Sequence, residues 1–368
     1  MTALRRSQKR LVFPVSTISA AISKKKRALR PLNTANSGKA RSNRRTINKE
    51  ETMMLKFGAI TIDTSHPMAF AEQLAAGDRA RYTAIFNDGF RGDDEVEAFA
   101  KFHGLTVCKT VEELAELVDI GMVHACNWDK HLGYIDAFAK RNKPVFIDKP
   151  LVGNLADCAK LQALVDSGVK VLGTSALRYC YEVDQVREKV AENNATILHI
   201  NLTVGVDEFN YAIHAYEFLC ALLNDKPVSG RYIGTSTAGA KPCDNYFLRF
   251  EGGATAIISG ILGKYTGFHT AVLTDIPAAD CCFTVDTSKL YEAMLHQVCS
   301  ELEGKENTLA PMAQLLIPIR AALACKASKL AGGKEIALDD PCLADVSFDG
   351  YEFEAAYGAN SPKSYLDL

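Results

Sequence analysis

GAITIDTSHPMAF, Gly58 to Phe70, decides how this chain is read. Leu55–Ile62 is an apolar run of strand length, and Pro67–Ala76 has the length of a short helix closed by Gly77. Asp63, Thr64 or Ser65 can cap that helix. Pro67 suits its first turn, where a missing N–H costs nothing. A strand that enters a helix through one tight polar turn opens a doubly wound α/β sheet. In such sheets that turn is where a nucleotide phosphate is held. Glycines normally let the backbone approach the phosphate. Aligned on the strand, their three places fall near Thr61, Asp63 and His66. A carboxylate at Asp63 would repel phosphate if it pointed there, whereas the hydroxyls of Thr64 and Ser65 and free backbone amides can contact one. Thr61, Asp63, Thr64, Ser65 and His66 are therefore the candidate cofactor-binding turn.

Downstream the alternation continues. Arg81–Asn87 is a strand, and Asp93 can cap a helix closed by Gly104. Leu105–Cys108 is a short strand. Thr110 and Glu113 have the capping-box spacing. Gly121–Asn127, Pro144–Ile147 and Val169–Thr174 are further strands. Helices Lys130–Arg141 and Leu155–Val165 separate them, the latter capped by Asn154. Six short strands between helices of about ten residues predict a parallel sheet with helices on both faces, whose ligand lies at the carboxyl ends of the strands. Two positions at those ends join the candidates, Asp88, placed to bond a ribose 2′-hydroxyl, and Asn127, and His131 at the start of the following helix is counted with them. Arg91, close to Asp88, keeps a 2′-phosphate in play. FIDKPL, Phe146 to Leu151, ends a strand in Asp148, Lys149 and Pro150, so that Lys149 stands at the same edge and can hold a substrate hydroxyl.

Beyond residue 175 the rhythm changes. Helices Arg178–Glu192 and Phe209–Leu223 flank an alternating strand, Thr196–Val206. Strand-like runs Arg231–Thr237, Tyr246–Phe250, Ala254–Leu262 and His269–Thr274 follow, two of them joined by the hairpin turn Glu251–Gly253. Helices Leu290–Leu302 and Ala310–Leu330 and a strand Glu335–Leu338 complete a mostly antiparallel open sheet with helices on one face. The expected organisation is a basic extension at 1–53, a Rossmann-type domain at 54–175, and an α+β substrate-binding and oligomerisation domain at 176–368. In FNYAIHAYEFL, Asn210, His214 and Glu217 have the spacing of one helix face. A histidine of near-neutral pKa suits proton removal from an alcohol, and Glu217 can orient its ring. Two ligands without a third partner do not make a metal site, and none is expected.

Composition narrows the classes. Of 42 Lys and Arg, 14 lie in residues 1–49, a stretch without Asp or Glu; the rest of the chain keeps 28 basic against 44 acidic residues. So acidic a body argues against nucleic-acid binding. The basic head has the composition of a disordered segment. Three readings stand for it: sequence upstream of a start at Met53 or Met54, an organelle transit peptide, or a tail for acidic partners. No apolar run approaches the ~18 residues of a membrane helix, so a cytoplasmic or organelle-targeted protein is expected. The 11 cysteines show no CxxC pair and read as reduced thiols.

Taken together, the α/β half, HACNWDKH, the DKP strand end about eighteen residues after His131, and the β-rich second half with its histidine resemble the Gfo/Idh/MocA oxidoreductases, the family of glucose–fructose oxidoreductase and inositol dehydrogenase. The resemblance spans Leu55 to Leu338, and VFIDKPL carries it best, with Asp148 where the family usually has glutamate. It implies that Lys149 binds substrate and assists catalysis, and that Asp148 and Pro150 shape the nicotinamide side. His214 matches the histidine of the D-x-x-x-H-x-x-D pattern, the usual proton acceptor. Asn210 and Glu217 stand at the two aspartate places. Asn210 carries no charge; losing one charge-assisted hydrogen bond, roughly 1.5–3 kcal/mol, slows such a step by about one to two decades. The implied function is NAD- or NADP-dependent hydride transfer at a hydroxyl carbon of a sugar or polyol. Lys149, Arg178, Asn210, His214 and Glu217 would bind the substrate, and the second sheet would pair copies into a homo-oligomer. Two other readings remain: a non-catalytic sugar or nucleotide sensor on the same fold, and a hydrolase or lyase using Asp63 with His66.

Overall fold

A computed structural model describes residues 54–368; the basic head lies outside the described residues. The first half forms strands β1 (Leu55–Ile60), β2 (Ala80–Phe86), β3 (Thr106–Val107), β4 (Ile120–Val123), β5 (Val145–Asp148) and β6 (Val171–Thr174), all parallel, in the order β3-β2-β1-β4-β5-β6. Helices α1 (His66–Ala76), α2 (Asp93–His103), α3 (Val111–Leu117), α4 (His131–Ala139) and α5 (Leu155–Asp166) connect them. The order reverses between β1 and β4, the switch point at whose carboxyl edge sheets of this kind hold their ligands. β4 and β5 are buried at every residue, as strands covered on both faces must be. Thr110 and Asn154 cap α3 and α5 as expected. Glu113 reaches back to the amide of Lys109 rather than to that of Thr110. The helix start expected at Asp93 is capped instead by Gly92.

The second half forms α6 (Tyr181–Glu192), β7 (Ile197–Val206), α7 (Ile213–Leu223), β8 (Pro227–Ser236), β9 (Cys243–Phe250), β10 (Thr255–Leu262), β11 (His269–Thr274), β12 (Cys281–Thr284), α8 (Leu290–Leu302), α9 (Met312–Leu330), β13 (Ile336–Ala337) and α10 (Gly350–Asn360). Its seven strands run β12-β11-β7-β10-β9-β8-β13. Only the β7–β10 pair is parallel. Ile200, Leu202 and Val204 alternate inward beneath α7, while α9 packs on β8 and on α7. The opposite face carries Phe247, Ile257 and Ile261 among polar residues, with no helix over it among the described residues. No helix of the described residues is long and apolar enough to cross a membrane. All eleven cysteines are unpaired, seven of them buried.

The boundary at 176–368 needs one correction. The last segment does not stay with the second sheet. Trp128 Nε1 donates to the Phe348 carbonyl at 2.9 Å, Lys363 pairs with Asp94, and the hydroxyl of Tyr365, a fully buried side chain, donates to the Thr64 carbonyl at 2.6 Å. Residues 349–368 therefore form a strap across the carboxyl edge of the first sheet. Nothing in the local pattern of this segment names its partner, because its aromatic residues fill a surface built far upstream.

Candidate active site and its covered crevice

The turn after β1 is built without glycine. Thr61 adopts a left-handed φ of 61°, with its hydroxyl buried and unpartnered. Asp63 is fully buried and does not face a phosphate. Its Oδ1 accepts from the Phe90 amide at 3.2 Å and its Oδ2 from the Cys126 amide at 3.1 Å, so one carboxyl ties together the segments that follow β1, β2 and β4. Burial raises it to about 6, and the nearby Glu354 adds to the rise. Gly89 is required by this arrangement, since a Cβ there would sit 1.9 Å from Asp63 Oδ1. The amides of Asp63, Thr64 and Ser65 have no acceptor among the described residues. The α1 amino terminus thus keeps donors for an anion.

The other expected cofactor ligands divide. Asp88 stands exposed at the end of β2, where its Oδ1 accepts from the Tyr134 hydroxyl at 2.6 Å. Asn127 turns the chain after β4, accepting from the Asp129 amide and donating to Glu354 at 3.0 Å. His131 does not face the crevice. Both its ring nitrogens face backbone carbonyls, of Leu151 and Ala125, and it is a buried brace. Arg91 is not available to a 2′-phosphate either: its guanidinium is buried against Glu95, the Pro362 carbonyl and the Asp63 carbonyl.

Over this floor lies the strap. Glu354 Oε1 accepts from Lys130 at 2.8 Å, and the carboxylates of Glu354 and Asp63 and the thiol of Cys126 lie within 4.8 Å of one another. Tyr357 packs its ring edge-on against Phe90, and Tyr365 lies against the guanidinium of Arg91. Residues 349–368 thus lie over the segments that follow β1, β2 and β4 and bring the Glu354 carboxylate beside that of Asp63. The floor itself, with the free amides at α1 and Asp88 at the end of β2, has the donor and acceptor set such a molecule needs.

Further along the edge the two halves meet. Lys149, joined to Pro150 by a cis peptide bond, sends its Nζ to the Asn210 carbonyl at 3.1 Å and to Asn210 Oδ1 at 3.0 Å. Burial lowers the Lys149 ammonium from its ordinary value. His214 sits close enough that the Lys149 charge, after burial, helps hold its imidazole well below the usual range. Asn210 is not on the helix with His214, because α7 begins at Ile213. Asn210 stands in the preceding turn, where Asp207 caps the amides of Phe209 and Tyr211. Glu217 does not orient His214. It pairs with Arg178 at 2.7 Å, both side chains buried, while Ser175 Oγ meets His214 Nδ1 at 2.6 Å. Arg178 borders a separate cleft of about 800 Å³ between α6, α8 and the start of α9, which neither Lys149 nor His214 lines.

Asp148 and His66 complete the cluster. Asp148 Oδ1 accepts from the Lys149 amide at 2.8 Å; its Oδ2 meets His66 Nδ1 at 2.6 Å and His124 Nδ1 at 3.1 Å. Despite burial, the two imidazoles keep this carboxyl well below the usual range. The ring of His66 lies 6.4 Å from that of His214, 5.3 Å from that of Tyr291 and 5.9 Å from that of Phe70. Ser175, His124 and Tyr291 escape the sequence reading. The first two stand just beyond the ends of β6 and β4, a position that would have flagged them.

Residues 66–175 match the model of the oxidoreductase family with an NAD-binding Rossmann fold, GFO_IDH_MocA. No curated protein matches the chain. Among solved structures it is similar to myo-inositol dehydrogenase from Lactobacillus casei in complex with NAD(H) and myo-inositol, at 14% identity and a TM-score of 0.66, over 77% of this chain and 97% of that one. It is also similar to aldose–aldose oxidoreductase from Caulobacter crescentus complexed with glycerol, at 16% identity and a TM-score of 0.62, over 77% and 99%. A third is UDP-N-acetylglucosamine 3-dehydrogenase from Acidithiobacillus ferrooxidans, at 12% identity and a TM-score of 0.61, over 75% and 97%. At such identities the likeness carries the fold: a parallel Rossmann-type sheet followed by a mostly antiparallel one.

Proposed function

From a first half that matches the Gfo/Idh/MocA family model, we propose that this chain is a nicotinamide-dependent oxidoreductase acting at a hydroxyl or carbonyl carbon of a sugar or polyol. The observation that carries the reading is the meeting of Lys149, from the first half, with Asn210 and His214, from the second, at the carboxyl edge of the sheet. Lys149 presents an ammonium to the substrate oxygen, and Asn210 fixes its direction. His214, held by Ser175, borders the same oxygen position, and Asp148 braces the Lys149 backbone. Burial of all five keeps water from competing for the oxygen. A bound nicotinamide would supply hydride transfer. The free amides after β1 and the Asp88 carboxylate would hold its dinucleotide once the strap has lifted. NAD and NADP both remain within this proposal, although the buried Arg91 offers nothing to a 2′-phosphate.

The seated strap favours a second reading, a sugar-binding protein on the same fold that no longer takes a dinucleotide. Calorimetric titration with NADH and NADPH separates the two. Binding, together with NAD reduction on a panel of inositols and aldoses that Lys149→Ala abolishes, supports the enzyme. Absence of dinucleotide binding at millimolar concentration, in the wild type and in a strap-weakened variant alike, ends that reading. We infer that the open sheet face with Phe247, Ile257 and Ile261 pairs with a second copy of the chain, and sedimentation across a concentration series in an ultracentrifuge tests that pairing.

A further inference from the structure

We propose that His66, the residue at the third glycine place, is a catalytic base of this site, with Asp148 as its positioning residue. The argument rests on how protons must be distributed in one buried network. Asp148 Oδ2 meets two imidazole nitrogens, and Oδ1 takes the Lys149 amide. A buried carboxylate among such neighbours needs a donor in each contact. His124 Nδ1 must therefore carry its proton. Its Nε2, 2.7 Å from the buried Tyr82 hydroxyl, is then the acceptor, and Tyr82 donates. By the same logic His66 donates from Nδ1. In the neutral ring that tautomer carries its lone pair on Nε2, which has no hydrogen-bond partner among the described residues.

His214 has the opposite polarity. Ser175 Oγ already accepts the Leu177 amide at 3.2 Å, and among the described residues its own proton has no acceptor except His214 Nδ1. Nε2 of His214 then bears the hydrogen. The two rings lie 6.4 Å apart, the Lys149 charge acts on His214, and we place the substrate hydroxyl in the space between the two rings. A polyol or sugar hydroxyl entering that space gives its proton to His66 Nε2. The O–H bond breaks, its electron pair stays on oxygen, and Lys149 and the His214 N–H meet the developing negative charge. Phe70 and Tyr291 wall the imidazole, so the proton does not pass freely to solvent. The replacement of a phosphate-loop glycine thereby has a chemical use: a side chain at this place reaches Asp148 directly.

The identity of the acid as an alcohol rests on the oxidoreductase reading; the proton distribution does not. Histidine-selective ¹⁵N spectroscopy on the full chain tests the distribution. The expected result is His66 with its proton on Nδ1 and His214 with its proton on Nε2. Asp148→Asn should erase the His66 preference and leave His214 unchanged. Myo-inositol, used as the probe at high concentration, should move the His66 Nε2 resonance. In turnover with NAD on any responsive polyol, His66→Gln should lower kcat by about 10²-fold or more and leave KM nearly constant. A proton on His66 Nε2, an unchanged tautomer in Asp148→Asn, or full turnover in His66→Gln would overturn the assignment. Failure of NADH to bind while the tautomers are as stated would remove the redox reading and leave the acid–base site standing.

Discussion

Tyr365 is the residue whose loss should expose the crevice. Its side chain is fully buried, edge-on to Phe99 at 5.4 Å and against Arg91, and its hydroxyl holds the Thr64 carbonyl beside the turn that would bind phosphate. Deleting only the hydroxyl, in Tyr365→Phe, removes one neutral hydrogen bond, about 1 kcal/mol. Deleting the ring, in Tyr365→Ala, forfeits about 3–5 kcal/mol. The cavity lies at the junction of strap and sheet, so the loss falls mainly on seating of the strap. Apparent affinity for a ligand that needs the open state scales with the open fraction. At about 1.4 kcal/mol per tenfold, NADH should bind roughly fivefold tighter in Tyr365→Phe and at least about a hundredfold tighter in Tyr365→Ala, until the strap is mostly open. Calorimetry gives the affinities, and amide hydrogen exchange over 350–368 gives the open fraction in the same samples. The reasoning is refuted if the strap amides of Tyr365→Ala exchange freely while NADH affinity stays within twofold of the wild type. It is equally refuted if the wild type binds NADH with those amides still protected.

Three further outcomes follow from buried groups. Removing one partner of the Arg178–Glu217 pair, as Arg178→Met or Glu217→Gln, should cost about 3–5 kcal/mol, while Arg178→Met with Glu217→Leu recovers most of it; denaturant midpoints measure both. Asp63 is raised from 3.8 to about 6, so its protonated form is favoured by the fold. Its contribution is complete below about pH 4 and is lost as pH rises through 6. Relative to Asp63→Asn, the wild type should lose about 3 kcal/mol of stability between those limits, read from unfolding midpoints across pH. Gly89→Ala should displace the Asp63 carboxyl from the Phe90 and Cys126 amides and lower stability by about 1–3 kcal/mol for each amide left unpaired. An unchanged melting temperature would show that the turn has slack the 1.9 Å approach denies.

Much of the fold is legible in local pattern because its causes are local. β4 and β5 read as apolar runs, β7 alternates, Asn154 and Thr110 cap, and Glu251–Gly253 turns a hairpin; each depends on residues within one or two turns of itself. Lys149 is legible for the same reason, since a strand end in a parallel sheet points its next side chains at the ligand edge. His131 and Glu217 mislead. A histidine at the start of α4 and a carboxylate one turn from His214 stand where candidates were expected, yet the Leu151 and Ala125 carbonyls and Arg178 claim them.

The sequence by itself determined the two sheets and the place of Lys149 at the end of β5, because side-chain periodicity and turn chemistry act over short range. Tertiary structure alone decided what the glycine-free turn does. Asp63 became a clasp between three strand ends, His66 a partner of Asp148 some eighty residues away, and the last twenty residues a cover over the crevice. Those outcomes depend on which distant groups can satisfy a buried donor or acceptor, and that is fixed only when the layers have packed.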